Sequence, residues 1–415
     1  MLRVAPIIAL ILASQLIVAA SPILSGAAEQ VRAFTRSIEF DYIAWTLDAA
    51  FMKLQQAALG ADRYLDEDAK SQLVRDYLKL VEQIQAGEWQ LGNLHADPNL
   101  VGVANEIAAL NQQLAYLYRQ RAQSTPLAES ILQSQVQSIL NEYGLTSIGQ
   151  PLPPIFYHST PLPWALIVSP RTEIAQVANI SLETELGLEN HILLEDVVTT
   201  NLDLSTLVVP VGGVGTYPTM VAQSSDLNWL AEVVSHEWTH NYLTLHPLGL
   251  VYLESPELQT MNETTANIVG KEIGAALVAR YYPELVPPEP VASLAPSAEE
   301  AATAPVFDFQ NEMHRTRIRV DELLAAGKVT EAEQYMEERR LFFWEHGFTI
   351  RKLNQAYFAF YGSYADVPVG PAGEDPVGAA VRELRSRSGS LAEFVHRMSG
   401  LISFEALQEL LTTLN

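Results

Sequence analysis

The stretch Ser235-His236-Glu237-Trp238-Thr239-His240 holds two histidines four residues apart, with a glutamate directly after the first. On a helix, residues four apart lie one turn apart on one face, so both imidazoles can reach a single ion. The glutamate then points beside that ion, where it can take a proton from bound water. Zinc lowers the pKa of such a water to about 7, so a hydroxide nucleophile exists at neutral pH. The spacing predicts hydrolysis, with Zn2+ as cofactor and Glu237 as general base. The bland alternative is two ordinary surface histidines, so the surrounding context has to decide.

A hydrolytic zinc site takes three protein ligands, and the sequence offers several third partners. His246 follows His240 by six residues, but Leu243 stands where a helix-ending glycine would be needed. On a continued helix, His246 would lie about 240° around the axis from His240 and face elsewhere. Glu263 and Glu272 are the downstream carboxylates. Glu272 falls half a turn out of register with Glu263 and reads as a solvated surface group.

The elements that must position these residues can be traced around them. Ser224-Ser225-Asp226 offers N-caps for a helix over residues 227–245 that ends before Pro247. A second helix is expected over 263–282. Its small residues Ala266, Gly270 and Gly274 share one face, which suits close packing on a neighbouring helix. Upstream, residues 155–157, 165–168, 207–211 and 217–222 are short, β-branched or aromatic, and bounded by Gly and Pro, as strands are. Pro218 makes 217–222 a predicted edge strand.

The texture elsewhere is helical. Leu73, Tyr77, Leu80, Val81 and Ile84 recur at helical spacing, as do Val103, Ile107, Leu110, Leu114 and Leu117. A connection with breaker residues over 92–99 lies between them and predicts a helical hairpin. Residues 284–305, rich in Pro, Ala and Glu, read as a loop or linker. Helices are expected again over 331–346, 348–361 and 391–411. The expected organisation is a helical N-terminal domain over 29–147, a catalytic domain over 148–283, the linker, and a helical C-terminal domain over 306–415. The predicted class is α+β, predominantly helical.

Composition narrows the partners. The formal net charge of −24 disfavours nucleic acid and anionic lipid, both of which need basic patches. The absence of cysteine excludes disulfides, thiolate metal sites and cysteine nucleophiles. Met1-Leu2-Arg3 followed by an apolar run over 4–20 and small residues has the order of a secretory signal or membrane anchor. Residues 1–28 are assigned to it, and the expected location is extracytoplasmic, secreted or anchored.

Asn262-Glu263-Thr264-Thr265-Ala266-Asn267 resembles the second zinc-binding segment of gluzincin metallopeptidases, the group that includes thermolysin and the large zinc aminopeptidases. The resemblance implies a zincin-like core acting on a peptide or protein substrate, with Glu263 as the third ligand after His236 and His240. It also implies Asn267 as the partner that holds the first histidine, in place of the family's usual Asp. The interval of 23 residues from His240 to Glu263 is longer than usual there, and an insertion around 247–256 accounts for it. More loosely, these motifs with Leu353-Asn354-Gln355-Ala356-Tyr357 are similar to predicted bacterial secreted aminopeptidases, over about residue 207 to the C-terminus. Gluzincins stabilise the oxyanion with a Tyr or His. Tyr361 and Tyr364 are the candidates here, with His314 and His346 behind them. In related folds the edge strand pairs with the substrate backbone, which implicates Tyr217 and Thr219 in substrate binding. No Met-Glu-Asn segment accompanies Gly212-Gly213-Val214-Gly215, so exopeptidase and endopeptidase activity both remain open. The rival expectation is a secreted or anchored binding protein whose zinc is structural or vestigial.

Overall fold

A computed structural model describes residues 26–60, 64–96, 104–147, 149–288, 307–348, 350–362 and 376–414. The chain is predominantly helical with two small sheets, an α+β composition. Most of the signal segment lies outside the described residues. Among those described, no helix is long and apolar enough to cross a membrane.

The N-terminal part contains α1 (Gly26–Thr35), α2 (Tyr42–Leu59), α3 (Glu67–Ala96) and α4 (Ala104–Glu142). The predicted hairpin is α3 against α4. Ile84 packs with Leu110, Leu114 and Leu117, and Tyr118 donates to Glu88 while Tyr77 bonds Thr125, so the two helices run antiparallel.

Strands β2 (Trp164–Pro170), β3 (Ala178–Leu182) and β4 (Leu204–Val209) form one antiparallel sheet in the order β3-β2-β4. Both of its faces are covered. Ala165, Ile167, Leu207 and Val209 point to one core cluster, while Leu166, Val168 and Val208 point to another. Burial on both sides explains why Ala165-Leu166-Ile167-Val168 is apolar throughout instead of alternating. The first face is covered by α9 (Phe309–Ala325), α10 (Val329–Glu345) and α11 (Gln355–Tyr361), and the second by α1 and α5 (Leu188–Leu202).

The second sheet has the order β1-β6-β5, from β1 (Tyr157–Ser159), β6 (Thr219–Val221) and β5 (Gly213–Val214). This overturns one expectation: β6 is the central strand, parallel to β1 and antiparallel to β5. The edge beside it is β5. Pro218 precedes β6, so its missing N–H interrupts no ladder.

Beneath this sheet runs α6 (Leu227–Leu243), whose N-cap Asp226 accepts from the Trp229 N–H. A short helix α7 (Pro247–Leu250) follows, and then α8 (Pro256–Tyr281). The start of α8 comes seven residues before the predicted one. Ser255 caps it by accepting from Leu258 N, and Pro256 takes the first helical position, where a proline costs no hydrogen bond.

The C-terminal run over 391–411 is two helices, α13 (Leu391–Ser399) and α14 (Phe404–Thr413), broken at Gly400 and preceded by α12 (Pro376–Arg387). The expected boundaries at 147/148 and 305/306 do not divide the core. One cluster joins Tyr77 and Ile131 of the hairpin, Leu230 and Trp238 of α6, Ile273 of α8, and Phe394 of α13. These segments bury their apolar faces against each other, not within separate units.

Candidate metal centre

The seam between α6 and α8 sets the site. A Cβ on Gly270 would stand 2.8 Å from Glu232 O and 3.0 Å from His236 Cβ, and one on Gly274 would stand 2.8 Å from Glu232 N. Glycine at both positions lets the two helix backbones come almost into contact, and Ala266 on the same face is fully buried. The small-residue stripe therefore has the packing role its spacing implied. It brings Glu263 on α8 opposite the two histidines of α6.

His236 Nε2 and His240 Nε2 lie 3.0 Å apart. Glu263 Oε2 is 3.6 Å from the first and 3.3 Å from the second. A tetrahedral ion bound at about 2.0 Å has ligand atoms spaced by about 3.3 Å, and these three separations bracket that value. Glu263 Oε2 is buried and has no hydrogen-bond partner, although an unpaired buried carboxylate oxygen is costly. The trio forms a group that could hold a metal ion.

Neighbouring residues orient these ligands. Asn262 Oδ1 can only accept, so at 2.8 Å it receives a hydrogen bond from His240 Nδ1–H and leaves Nε2 as the nitrogen turned to the group. Tyr252 donates to Glu263 Oε1 at 2.7 Å. Burial alone would raise the Glu263 carboxyl, but the facing histidines outweigh it and hold the group well below the ordinary carboxylate range. Burial would lower His240, and Glu263 with Glu237 overcomes it, so that the imidazole is raised to about 9.

Glu237 is 6% exposed and sits under β5. A Cβ on Gly213 would fall 2.6 Å from Glu237 Cγ, and one on Gly215 would fall 3.2 Å from His240 Cβ. Side chains at these two positions would thus push the glutamate and the histidine aside. Burial raises the Glu237 carboxyl, His236 and His240 draw it back, and Glu263 adds to the rise. A carboxyl pushed upward is a stronger base than an ordinary surface glutamate.

His236, Glu237, His240 and Glu263 therefore come together. Asn267 lies one turn beyond Glu263 on α8, and Asn262 on the same helix meets the second histidine of the pair. Tyr361 belongs to the core against β2 and β4, with its ring 4.6 Å from Tyr357 and 5.0 Å from Phe360. Tyr364 lies outside the described residues. Tyr217 is buried and donates to Pro154 O, and Thr219 is buried and accepts from Asn241 Nδ2. Both support the sheet from inside, because β6 is its middle strand and not an edge open to substrate.

His246 caps α7, bonds Tyr242 O and stacks on the Tyr242 ring, away from the ligands. His346 stacks on Phe307 at the end of α10, and His314 lies on α9. Glu272 is a surface carboxylate, with its side chain 32% exposed. Arg385 holds both its oxygens, at 2.7 and 2.8 Å, and ties α12 to α8. Sequence reasoning missed Tyr252, the pairing role of Asn262, and Tyr42. The Tyr42 phenol donates to Ser181 Oγ at 2.6 Å and is pushed up to about 12, chiefly by burial, with Glu237 adding to the rise.

Comparison of the chain with family models, with curated proteins and with solved structures found no match in any of the three.

Proposed function

We propose that the chain is a zinc-dependent metallopeptidase of the gluzincin type, built on a zincin-like core and acting outside the cytoplasm. The observation that carries this reading is the convergence of two imidazole nitrogens and one orphaned carboxylate oxygen, with a second buried carboxylate beside them. A structural site would need the first three but not Glu237. Zinc held there would polarise a water and lower its pKa to about 7.

The chain's own residues divide the remaining work. His236, His240 and Glu263 bind the ion. Glu237, raised by burial, accepts the proton from the attacking water and returns it to the leaving amine. The outer edge of β5, which has β6 on its other side, offers backbone groups to an extended peptide. This reading moves substrate pairing from Tyr217 and Thr219 to Gly213 and Val214. The apolar order of residues 4–20 supports the extracytoplasmic location.

The test is metal content and hydrolysis of a mixed peptide digest, for the parent and for Glu237→Gln. The expected result is about one zinc per chain in both proteins, with cleavage in the parent only. Cleavage that survives the substitution, or no metal in the parent after supplementation, would overturn the reading. Metal without cleavage in the parent would favour a binding protein with a structural ion.

A further inference from the structure

Glu263 presents two oxygens to two different environments, and the difference comes from one residue. Oε2 faces both histidine Nε2 atoms and lacks a hydrogen-bond donor, whereas Oε1 accepts from Tyr252 at 2.7 Å. We propose that Tyr252 is a positioning residue that restricts Glu263 to one-oxygen ligation. This inference rests on the metal-site reading above.

The placement of Tyr252 is built, not incidental. Its loop is the insertion that lengthens the interval between His240 and Glu263. Leu248 anchors the loop in the main core at 0% exposure. Gly249 passes so close to the end of α6 that a Cβ there would lie 2.6 Å from Thr244 N. Only glycine permits that return, and three residues later the chain delivers Tyr252 back to the ligands. There its ring stands edge-on to His240, with centroids 6.4 Å apart. Ser255 then caps α8 and fixes the loop's far end.

The chemical consequence follows from counting donor positions. A carboxylate bound through both oxygens would occupy two positions on an ion, and with two imidazoles would leave less room for water and substrate. A phenol is a neutral donor, so it engages Oε1 without neutralising the charge that Oε2 offers. The hydrogen bond thus keeps the protein's donor atoms at three, which leaves the fourth tetrahedral position open for water or substrate.

The experiment replaces the ion with Co2+ and records its visible absorption and affinity in the full-length parent, Tyr252→Phe and Tyr242→Phe. Tyr242 lies on the same helix as the histidines, has the same side chain, and stacks on His246 instead of a ligand. In Tyr252→Phe the absorption should weaken as the coordination number rises, and Co2+ affinity should fall by about 10- to 100-fold. Circular dichroism and Tyr242→Phe should both match the parent. An unchanged spectrum with affinity within about twofold overturns the inference while leaving the metal site standing. A parent that binds no Co2+ overturns the site reading itself, and the two failures are therefore distinguishable.

Discussion

Two buried glutamates, Glu129 and Glu263, each face histidine, and they are treated in opposite ways. Glu129 on α4 is 0% exposed, and every oxygen has a donor. Oε1 accepts from Ser159 N at 2.8 Å and lies 3.0 Å from His158 Nδ1, while Oε2 accepts from Lys53. Burial would raise its carboxyl, but Lys53 and His158 outweigh that and lower it. Glu263 is also buried, at 7% exposure, yet its Oε2 has no hydrogen-bond partner and faces two histidine Nε2 atoms at 3.6 and 3.3 Å. A satisfied cluster ties elements together: here α2, α4 and the outer side of β1, where Gln133 also takes the Tyr157 N–H. A cluster left short of a cation is arranged for a ligand. The contrast separates scaffold from site where residue types alone do not.

The largest effect that would sharpen this contrast is Glu129→Gln. It leaves the Lys53 ammonium buried without its counter-charge, and should cost about 3–5 kcal/mol in urea unfolding while metal bound per folded chain stays unchanged. Glu263→Ala should do the reverse, removing metal with little loss of stability. If Glu129→Gln abolished metal binding in the folded protein, the division between scaffold and site would fail.

Next comes Gly213→Ala, where the new methyl displaces Glu237 and not the ligands. The expected outcome is a drop of about 100-fold in kcat with metal stoichiometry retained; parental activity would show that β5 does not hold the glutamate in place.

Asn262→Ala removes the acceptor from His240 Nδ1 and should weaken metal affinity by about 10- to 100-fold, read by competition with a chelating dye. Equal affinity would mean that His240 is oriented by packing alone.

The smallest expected change is Tyr217→Phe. It removes one neutral hydrogen bond, to Pro154 O, and should cost about 1 kcal/mol with peptide KM unchanged. A rise in KM would return Tyr217 to the substrate.

Much of the site was legible because it is local. The helix that carries His236, Glu237 and His240 announces itself through Asp226, its apolar spacing and Pro247. Its four-residue interval needs no tertiary information to imply a shared face. The stripe Ala266, Gly270 and Gly274 was also legible as a packing surface. What escaped depends on contacts made across the chain. Asn262 was in view as the neighbour of Glu263, but its pairing with His240 depends on how α8 is rotated against α6. β5 is two residues long, too short to show a period, so Tyr217 and Thr219 were assigned to an edge that is in fact interior. Tyr361 lies on an amphipathic helix whose apolar face the sequence reveals but whose partner, the β2–β4 sheet, it does not. The cluster that joins Tyr77, Leu230 and Phe394 was hidden for a related reason: an apolar face says that a helix is buried, not which segment buries it.

The sequence by itself determined one helix with two histidines and a glutamate on it, because helical geometry enforces that proximity within five residues. It also determined a mixed, mostly helical composition and an acidic surface. Only the tertiary structure decided that Glu263 completes the group, that one of its oxygens is orphaned while Tyr252 holds the other, and that Gly213 lies over Glu237. Those relations span 11 to 27 residues of chain. They exist only because two glycines let α6 and α8 pack close enough to bury opposing charges together.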